Sequence, residues 1–499
     1  MEVAPSLVLD QYAQLPRTGK PQPGEWTVVA GIVLHSPSEA PRVVALGSGT
    51  KCLPAAAVAA DTRGSRLHDT HAEVGARRAL RLFLMDQLER AARGAPSIVV
   101  PRADGRGYDV AAGVEFHLFS SAPPCGDAAV VASAGPAAAA AQIECERPPT
   151  HAAKRHKPSA ASPPAASPPA ASPPAASPPA ASPPAASPPA ASPPAASPPA
   201  ASPPAASPPA ASPPAASPPA NGSTAPLPAE QGKECAQTGA RPVSPRAAEG
   251  EAAARGRACV AGVARTKPGR GERTCCMSCS DKLARWHAVG VQGALLSLLI
   301  PTPLRLASVT AGGRASLDAL LRAIASRVTT PSAPAAPRVA IARGVAFEYA
   351  QPSYPSHRRP ASQEGDTRPC SNALLWYSGG TCEAVNGLTG LRMGANKRSF
   401  SPKHRAQACK ALLLRRFCKL CIAVPKHHLP PEISAEAMSR SSYASIKGLA
   451  TAYQQRKLEF LQSSVFREWV IAPPVCEAFT DEDVNGPPSE VQEAARAIV

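Results

Sequence analysis

The stretch Leu67-His68-Asp69-Thr70-His71-Ala72-Glu73-Val74-Gly75-Ala76-Arg77-Arg78-Ala79-Leu80 decides how the rest of the chain is read. Val74, Leu80, Leu84 and Leu88 recur at helical spacing, so the segment opens an amphipathic helix that runs from Ala72 to Leu88. His71 stands where that helix begins, and Glu73 follows two residues on. An imidazole that can hold a metal is thereby set beside a carboxylate that can carry a proton. His-x-Glu is frequent by chance, so its weight depends on partners elsewhere in the chain.

Upstream, Glu25 to Leu34 is rich in β-branched residues and Val43 to Leu46 continues the pattern, which predicts two strands before the helix. Gly47-Ser48-Gly49-Thr50-Lys51-Cys52 then reads as a turn able to bring backbone close to a ligand. Downstream, Glu115 to Ser121 is a third strand. Ala122-Pro123-Pro124-Cys125-Gly126-Asp127 ends it abruptly, with Asp127 to Val130 opening a helix. Another helix starts at Cys279, capped by Ser278 or Ser280 and running through Leu283, Trp286 and Val289. Val339 to Tyr349 reads as a strand, Arg405 to Leu420 as a helix, and Ser442 to Val470 as one long helix rich in Tyr and Lys. Strands alternating with helices predict an α/β fold.

A length of 499 residues allows two or three domains, but composition argues for fewer. Ala161 to Ala220 is twelve copies of Ala-Ser-Pro-Pro-Ala, with no charge, no aromatic ring and nothing to bury. From about Ser133 the chain is dominated by Ala, Pro, Ser and Gly. Pro-Pro pairs favour extended polyproline without hydrogen bonds of its own, so residues 133–256 read as a disordered insert. The expected organisation is one large domain in two parts, residues 1–132 and 257–485, followed by a tail over 486–499. The net charge of +17 lies wholly outside the repeat and favours a polyanionic partner, either nucleic acid or a highly phosphorylated small molecule. Lys154-Arg155-His156-Lys157 reads as a solvated charge run, with nuclear import as its other reading. The best apolar run, Ala294 to Ile300, ends at Pro301 and is too short to span a membrane. Glu2 and Asp10 do not fit a signal peptide, so the expectation is an intracellular protein, nuclear or cytoplasmic, with no obligate protein partner evident. Fourteen cysteines then read as thiols or metal ligands rather than a disulfide framework.

Cys125 follows Pro123-Pro124, and Cys279 stands where a helix should start. The positive end of a helix lowers a thiol's pKa, and the thiolate is the form that binds zinc. His71, Cys125 and Cys279 would supply three protein ligands and leave a fourth position for water, the pattern of a catalytic zinc. His71-Ala72-Glu73 is also the first half of the zinc deaminase signature, whose second half is cysteine preceded by proline. A competing arrangement uses the Cys-x-x-Cys pairs Cys276/Cys279 and Cys418/Cys421 as a structural zinc clip. It leaves His71 and Glu73 without a role and draws on cysteines inside an apolar helical run, where they act as small hydrophobes.

Gly49-Thr50-Lys51-Cys52, His71-Ala72-Glu73, Arg77-Arg78, Pro124-Cys125-Gly126-Asp127 and Ser278-Cys279-Ser280-Asp281-Lys282 with Ala284-Arg285-Trp286 resemble the adenosine-to-inosine editase domain. That domain is shared by tRNA-specific and double-stranded RNA adenosine deaminases. The match runs in register from about Trp26 to Trp469, the insert excepted. The resemblance implies a cytidine-deaminase-like mixed sheet flanked by helices. It also implies Zn2+ held by His71, Cys125 and Cys279, with Glu73 shuttling protons as adenosine is hydrolysed to inosine. In this family the third ligand lies far down the chain, so the repeat occupies that gap and must loop out of a single domain. The family also buries inositol hexakisphosphate. The matching positions are Arg77, Arg78, Lys282, Arg285, Trp286, Lys410, Tyr443, Lys447, Tyr453, Lys457 and Trp469, with Asp69 and Lys267 on a polar relay to the zinc site. By spacing alone, Tyr443/Lys447 and Tyr453/Lys457 are i,i+4 pairs on the long helix and read as an exposed basic face; so many cations could lie in a core only around a polyanion. His68 and His287 stand where the family more often has Asn, and Ala294 where its double-strand editors carry Ser.

The loop from Lys267 to Cys279 is short and contains Lys267-Pro268-Gly269-Arg270-Gly271. Double-strand editors are longer there and carry an intercalating glutamate. A base already in a tRNA loop needs no such wedge. With the core beginning within roughly thirty residues of Met1, no double-stranded-RNA-binding module is expected. The expected substrate is the adenosine 3′ of the anticodon in tRNA(Ala), met by a basic face that includes Thr50 and Lys51, with Arg270 and Arg273. Two alternatives stay open: a deaminase of other structured or double-stranded RNA, and an inactive RNA-binding scaffold with a structural zinc.

Overall fold

Val29 to Leu34 is buried at every position, and this run lies in the middle of the main sheet. In the computed structural model, residues 5–132, 234–236, 239–253, 259–268, 272–313, 315–331, 333–342, 368–395 and 401–484 are described. All of them belong to one unit built from residues 1–135 and 231–499. Along the chain come α1 (Pro5–Gln14), β1 (Val29–Ser36), β2 (Glu39–Ser48), α2 (Ala72–Ala92) and β3 (Glu115–Ser120). After the insert come α3 (Cys279–Val289), β4 (Leu306–Ala311), β5 (Arg338–Ile341), β6 (Asn372–Tyr377), β7 (Glu383–Asn386), β8 (Leu391–Arg392), α4 (Lys410–Ala423), α5 (Tyr443–Gly448) and α6 (Thr451–Gln462).

Eight strands form one mixed sheet in the order β5-β4-β3-β1-β2-β6-β7-β8. The pairs β5/β4 and β4/β3 are parallel and the remaining neighbours antiparallel. Alternation along β1 explains its unbroken apolar run. Ala30, Ile32 and Leu34 join the main core with Ala76, Leu80, Phe83 and Leu84 of α2. Val29 and Val33 face a second core with Val8 and Tyr12 of α1 and Phe119 of β3. Helices thus cover both faces, as the α/β reading requires. At Gly47 of β2 an added Cβ would lie 2.5 Å from Ala72 O and Ala76 N, so the first turn of α2 rests directly on the strand. That contact anchors the His71–Glu73 turn to the sheet.

Several elements differ from the sequence expectation. Residues 127–130 do not open an α-helix. Asp127–Ala129 is a single 3-10 turn, because Asp127 is drawn into the interior by arginines and Val130–Ala132 leaves as a strand. The stretch read as one helix from Ser442 to Val470 is broken between Gly448 and Thr451, where Ala450 takes φ −77°, ψ 64°, and helical structure ends at Gln462. β1 starts at Val29 rather than Glu25, since Glu25–Trp26 pairs in parallel with Arg368–Pro369. β5 ends at Ile341, and residues 343–350 of the strand expected there lie outside the described residues.

Part of the region read as insert is ordered. Glu234–Ala236 pairs antiparallel with Val130–Ala132, Arg241–Pro242 pairs with Arg265–Thr266, and Pro245–Ala253 is helical. The repeat, the Lys154–Lys157 cluster and the 486–499 tail lie outside the described residues. No described helix is long and apolar enough to cross a membrane.

Candidate metal centre and active site

The segment before α2 is tied down by backbone bonds. Leu53 N donates to His68 O at 2.8 Å, Thr70 N to Lys51 O at 2.9 Å and Ala72 N to Gly49 O at 3.0 Å. His71 is the N-cap residue, extended at φ −61°, ψ 146°, and its imidazole makes no capping bond. Its backbone N–H donates instead to Asp69 Oδ1 at 3.0 Å. Cys125 reaches the same place through Gly126, whose φ is +103° and where a Cβ would meet Ser278 Oγ at 2.2 Å. Glycine therefore lets the Pro123-Pro124-Cys125 loop touch the start of α3. Ser280 locks that contact: its N–H donates to Cys125 O at 3.0 Å, and its hydroxyl donates to Pro124 O at 3.1 Å while accepting from Ala128 N at 3.0 Å. α3 is capped by Ser278, whose side chain accepts from Asp281 N. The first N–H of α3, at Cys279, donates to Cys125 Sγ at 3.3 Å, so the helix end acts on the sulfur of the other cysteine.

His71, Cys125 and Cys279 converge as expected, their ligand atoms all within 4.8 Å of one another. His71 Nδ1 lies 3.8 Å from Cys125 Sγ and 3.7 Å from Cys279 Sγ. Bonds of about 2.0 Å to nitrogen and about 2.3 Å to sulfur around a tetrahedral zinc place N and S about 3.5 Å apart. The donor set and spacing therefore fit zinc, with one tetrahedral position not taken by the three. Glu73 Oε2 is 3.1 Å from Cys279 Sγ, and the residue is buried at the foot of α2. Burial raises the Glu73 carboxyl above its usual range, and the adjacent Cys125 charge adds to the rise. The hydrogen bond from Cys279 lowers the Cys125 thiol well below its ordinary value, against burial and with help from the Lys267 charge.

Lys267 and Asp69 stand behind the sulfurs. Lys267 Nζ donates to Asp69 Oδ2 at 2.7 Å and to Cys279 Sγ at 3.3 Å, and Lys282 also pairs with Asp69. Burial alone would raise the Asp69 carboxyl, but the two ammonium groups hold it well below the carboxylate range. Lys267 is delivered by a short bridge in which its N–H donates to Cys276 O at 2.8 Å and Ser278 N to Arg265 O at 2.8 Å.

Sequence reasoning missed a buried lattice that fixes the two sulfur-bearing segments. Asp127 and Asp281, both fully buried, each follow their cysteine by two residues. Arg327 meets both, with NH1 2.9 Å from Asp281 Oδ1 and Nε 3.6 Å from Asp127 Oδ2, and Arg322 Nε lies 3.0 Å from Asp127 Oδ2. Asp281 Oδ2 also accepts from Arg265 N at 2.9 Å and from Ser278 Oγ at 2.6 Å. The repeated Cys-x-Asp spacing is the sequence signal that could have found it. Arg322 and Arg327 carried none.

Lys282 and Asp69 also border a cavity of about 470 Å³. Nine of the eleven residues expected around a polyanion line it: Arg77, Arg78, Lys282, Arg285, Trp286, Lys410, Lys447, Lys457 and Trp469. Tyr443 and Tyr453 stand behind this lining. Tyr443 stacks on Phe479 with ring centroids 5.4 Å apart, and Tyr453 is pulled down to about 8, against its burial, by Arg285 and Arg77. Arg77 lies over Trp286 and Arg285 over Trp469, at 5.0 and 5.3 Å from the ring centroids. Among the described residues, seven cations and only two acids, Asp69 and Glu477, line the cavity, and Glu477 is taken up by Lys447 and by Lys410 at 3.1 Å. Burial and neighbouring arginines press Arg77 down to about 9 and lower Arg78 and Lys457, and Arg285 Nε is buried with no hydrogen-bond partner among the described residues. Such crowding of buried cations fits a polyanion.

The remaining candidates fall around these two centres. Thr50 and Lys51 are half-buried in the turn that receives the His71 segment, and Thr50 Oγ1 has no hydrogen-bond partner among the described residues. Arg273 is exposed, and Arg270 lies outside the described residues. The rival clip finds no geometry: Cys276 turns its thiol to His68 O at 3.5 Å, while burial pushes Cys418 and Cys421 up to about 12.

The adenosine-deaminase (editase) domain family matches residues 45–473. A tRNA-specific adenosine deaminase 1 of Drosophila melanogaster is 29% identical over 94% of this chain and 93% of its own length. The Homo sapiens protein of the same name is 29% identical over 92% of this chain and 95% of its length. A double-stranded RNA-specific editase Adar of Drosophila melanogaster is 33% identical, but over 25% of this chain and 19% of its own. With the match spanning both ordered halves and the segments that hold His71, Cys125 and Cys279, the chain belongs to the adenosine-deaminase (editase) domain family of enzymes that act on a C–N bond.

Proposed function

We propose that the protein is a zinc-dependent hydrolase that converts adenosine to inosine in tRNA, at the adenosine 3′ of the anticodon in tRNA(Ala). The observation that carries the chemistry is the convergence of one imidazole and two sulfurs beside a buried glutamate. His71, Cys125 and Cys279 would hold the metal. Zinc in such a site lowers the pKa of a bound water to about 7 and so supplies a nucleophile at neutral pH. Glu73, raised by burial, would take one proton from the attacking water and pass it to the adenine ring, then carry the second, from the new C6 hydroxyl, to the amine that leaves as ammonia. Lys267 would steady the negative charge that Cys279 carries as a metal ligand, and Asp69 holds Lys267 and Lys282 in place.

The tRNA reading rests on relatives of that name aligned over more than nine-tenths of the chain, whereas the double-strand editase aligns over a quarter. The short Lys267–Cys279 loop supports a target base that needs no wedge. Thr50 and Lys51, in the turn beside His71, and the exposed Arg273 would contribute to a basic RNA face. The cavity lined by Arg77, Arg285, Lys447 and Lys457 would hold inositol hexakisphosphate, its phosphates taking the place of absent counter-charges.

Glu73→Ala is the deciding variant. Inosine formation on tRNA(Ala) transcripts should vanish while zinc content and melting stay as in the parent. Surviving activity would remove Glu73 from the mechanism. Inosine in duplex RNA but none 3′ of the anticodon would replace the substrate.

A further inference from the structure

A second group of metal-ligating side chains lies away from the cysteines. Among the described residues, His35, Glu115 and His117 bring one ligand atom each to within 4.8 Å of one another. The sheet register puts them there. β1 and β3 pair antiparallel with His35 opposite Glu115 and Val33 opposite His117, and Glu115 and His117, two residues apart, share a face. Phe119, the next residue of that face, packs in the α1-side core, so the trio lies on the face opposite α2. β3 starts at Glu115 and ends at Ser120, five residues before Cys125, which places the trio and the catalytic candidates at opposite ends of one strand.

We propose that His35, Glu115 and His117 form a second site for a divalent transition-metal ion of the zinc class, clipping β1 to β3. The chemistry suits it: imidazole with carboxylate is a ligand set for zinc and its neighbours. His117 is buried and already oriented, with Nδ1 2.8 Å from Ser308 Oγ on the adjacent β4 and Nε2 turned to Glu115 Oε2 at 3.4 Å. A ligating histidine held through its other nitrogen is the usual supporting arrangement. His35 sits edge-on to His117, ring centroids 6.4 Å apart. Glu115 also accepts from Arg338 NH2 at 3.1 Å, but both side chains are about half exposed, at 45% and 57%, and such a pair holds the carboxylate weakly. The open side of Glu115 leaves entry for the ion and for water to complete the coordination.

The test uses the zinc-loaded full chain, equilibrated against a series of free Zn2+ concentrations, with metal per chain read by mass spectrometry. The parent should take up a second equivalent. His35→Ala and Glu115→Gln should each weaken that uptake by about tenfold or more while keeping the first equivalent and inosine formation. Added zinc should also raise the melting temperature of the parent more than that of either variant. Glu115→Gln keeps the shape of an exposed side chain and carries the test if His35→Ala folds poorly. Saturation of the parent at one equivalent, or an unchanged second equivalent in both variants, would overturn the site.

Discussion

Replacing Asp69 by asparagine should be the most damaging isosteric change near the metal centre that replaces none of the three candidate ligands. The Asp69 carboxylate is 5% exposed and Lys267, 2.7 Å away, is 0% exposed, so solvent screens neither charge. With the negative charge gone, the Lys267 ammonium keeps Cys279 Sγ at 3.3 Å and faces a neutral amide in place of its counter-ion, and Lys282 loses its ionic partner. Removing one member of a buried ion pair costs about 3–5 kcal/mol, because the other charge stays desolvated. At roughly 2–4 °C per kcal/mol for a large domain, the melting temperature should fall on the order of 10 °C. Asp69 is depressed in the folded state, so its stabilisation is fully present above the unfolded carboxyl value of about 3.9 and is lost only as pH falls through its lower folded value. The gap between Asp69→Asn and the parent should therefore stay constant from pH 5 to 8. Calorimetry on the zinc-loaded proteins reads this directly. Adding Lys267→Met to Asp69→Asn removes both charges and should cost less than the sum of the single changes. A single variant that melts within about 1 °C of the parent, or a strictly additive double variant, would refute the argument, since either would mean that the pair is solvated or uncoupled.

Further outcomes follow from the same geometry. Arg327→Met leaves Asp281 and Asp127 buried with fewer cations, and urea unfolding should show a loss of about 3 kcal/mol with weaker zinc retention. Lys447→Ala with Lys457→Ala thins the cation lining of the cavity, and phosphorus recovered per chain after acid denaturation should fall relative to the parent. Glu477 is brought down to about 2 by Lys447 and Lys410 despite its burial, so its stabilisation is present above about pH 4.3 and drains away toward pH 2. Glu477→Gln, measured in the polyanion-free protein, should be less stable than the parent by about 1–3 kcal/mol near neutral pH, with the difference closing in acid.

The local elements were legible wherever one periodicity ruled. β1 is buried on both faces and β-branched, and α2 repeats apolar residues at helical spacing, so both read correctly to within a few residues. Errors arose where distant groups overrode local preference. Asp127 looked like the start of a helix, but Arg322 and Arg327, about two hundred residues away, pull it inward and leave one 3-10 turn. The last helix looked continuous, but it breaks at Ala450, and Trp469 reaches the cavity from a turn beyond α6. Glu234–Ala236 sits in a stretch whose composition promises nothing, and it pairs because Val130–Ala132 offers an edge.

By itself, the order of residues determined the helix that opens at His71, the apolar sheet, the proline repeat that cannot supply a core, and the chemical types gathered at His71, Glu73, Cys125 and Cys279. It could also name cations suited to a polyanion. Tertiary structure alone decided that Cys125 takes its hydrogen bond from the backbone of Cys279, that one arginine braces both Cys-x-Asp segments, and that His35 meets Glu115 across two strands. The physical reason is range. Periodicity and turn chemistry act over a few residues, whereas burial, charge pairing and metal geometry depend on groups brought together from anywhere in the chain.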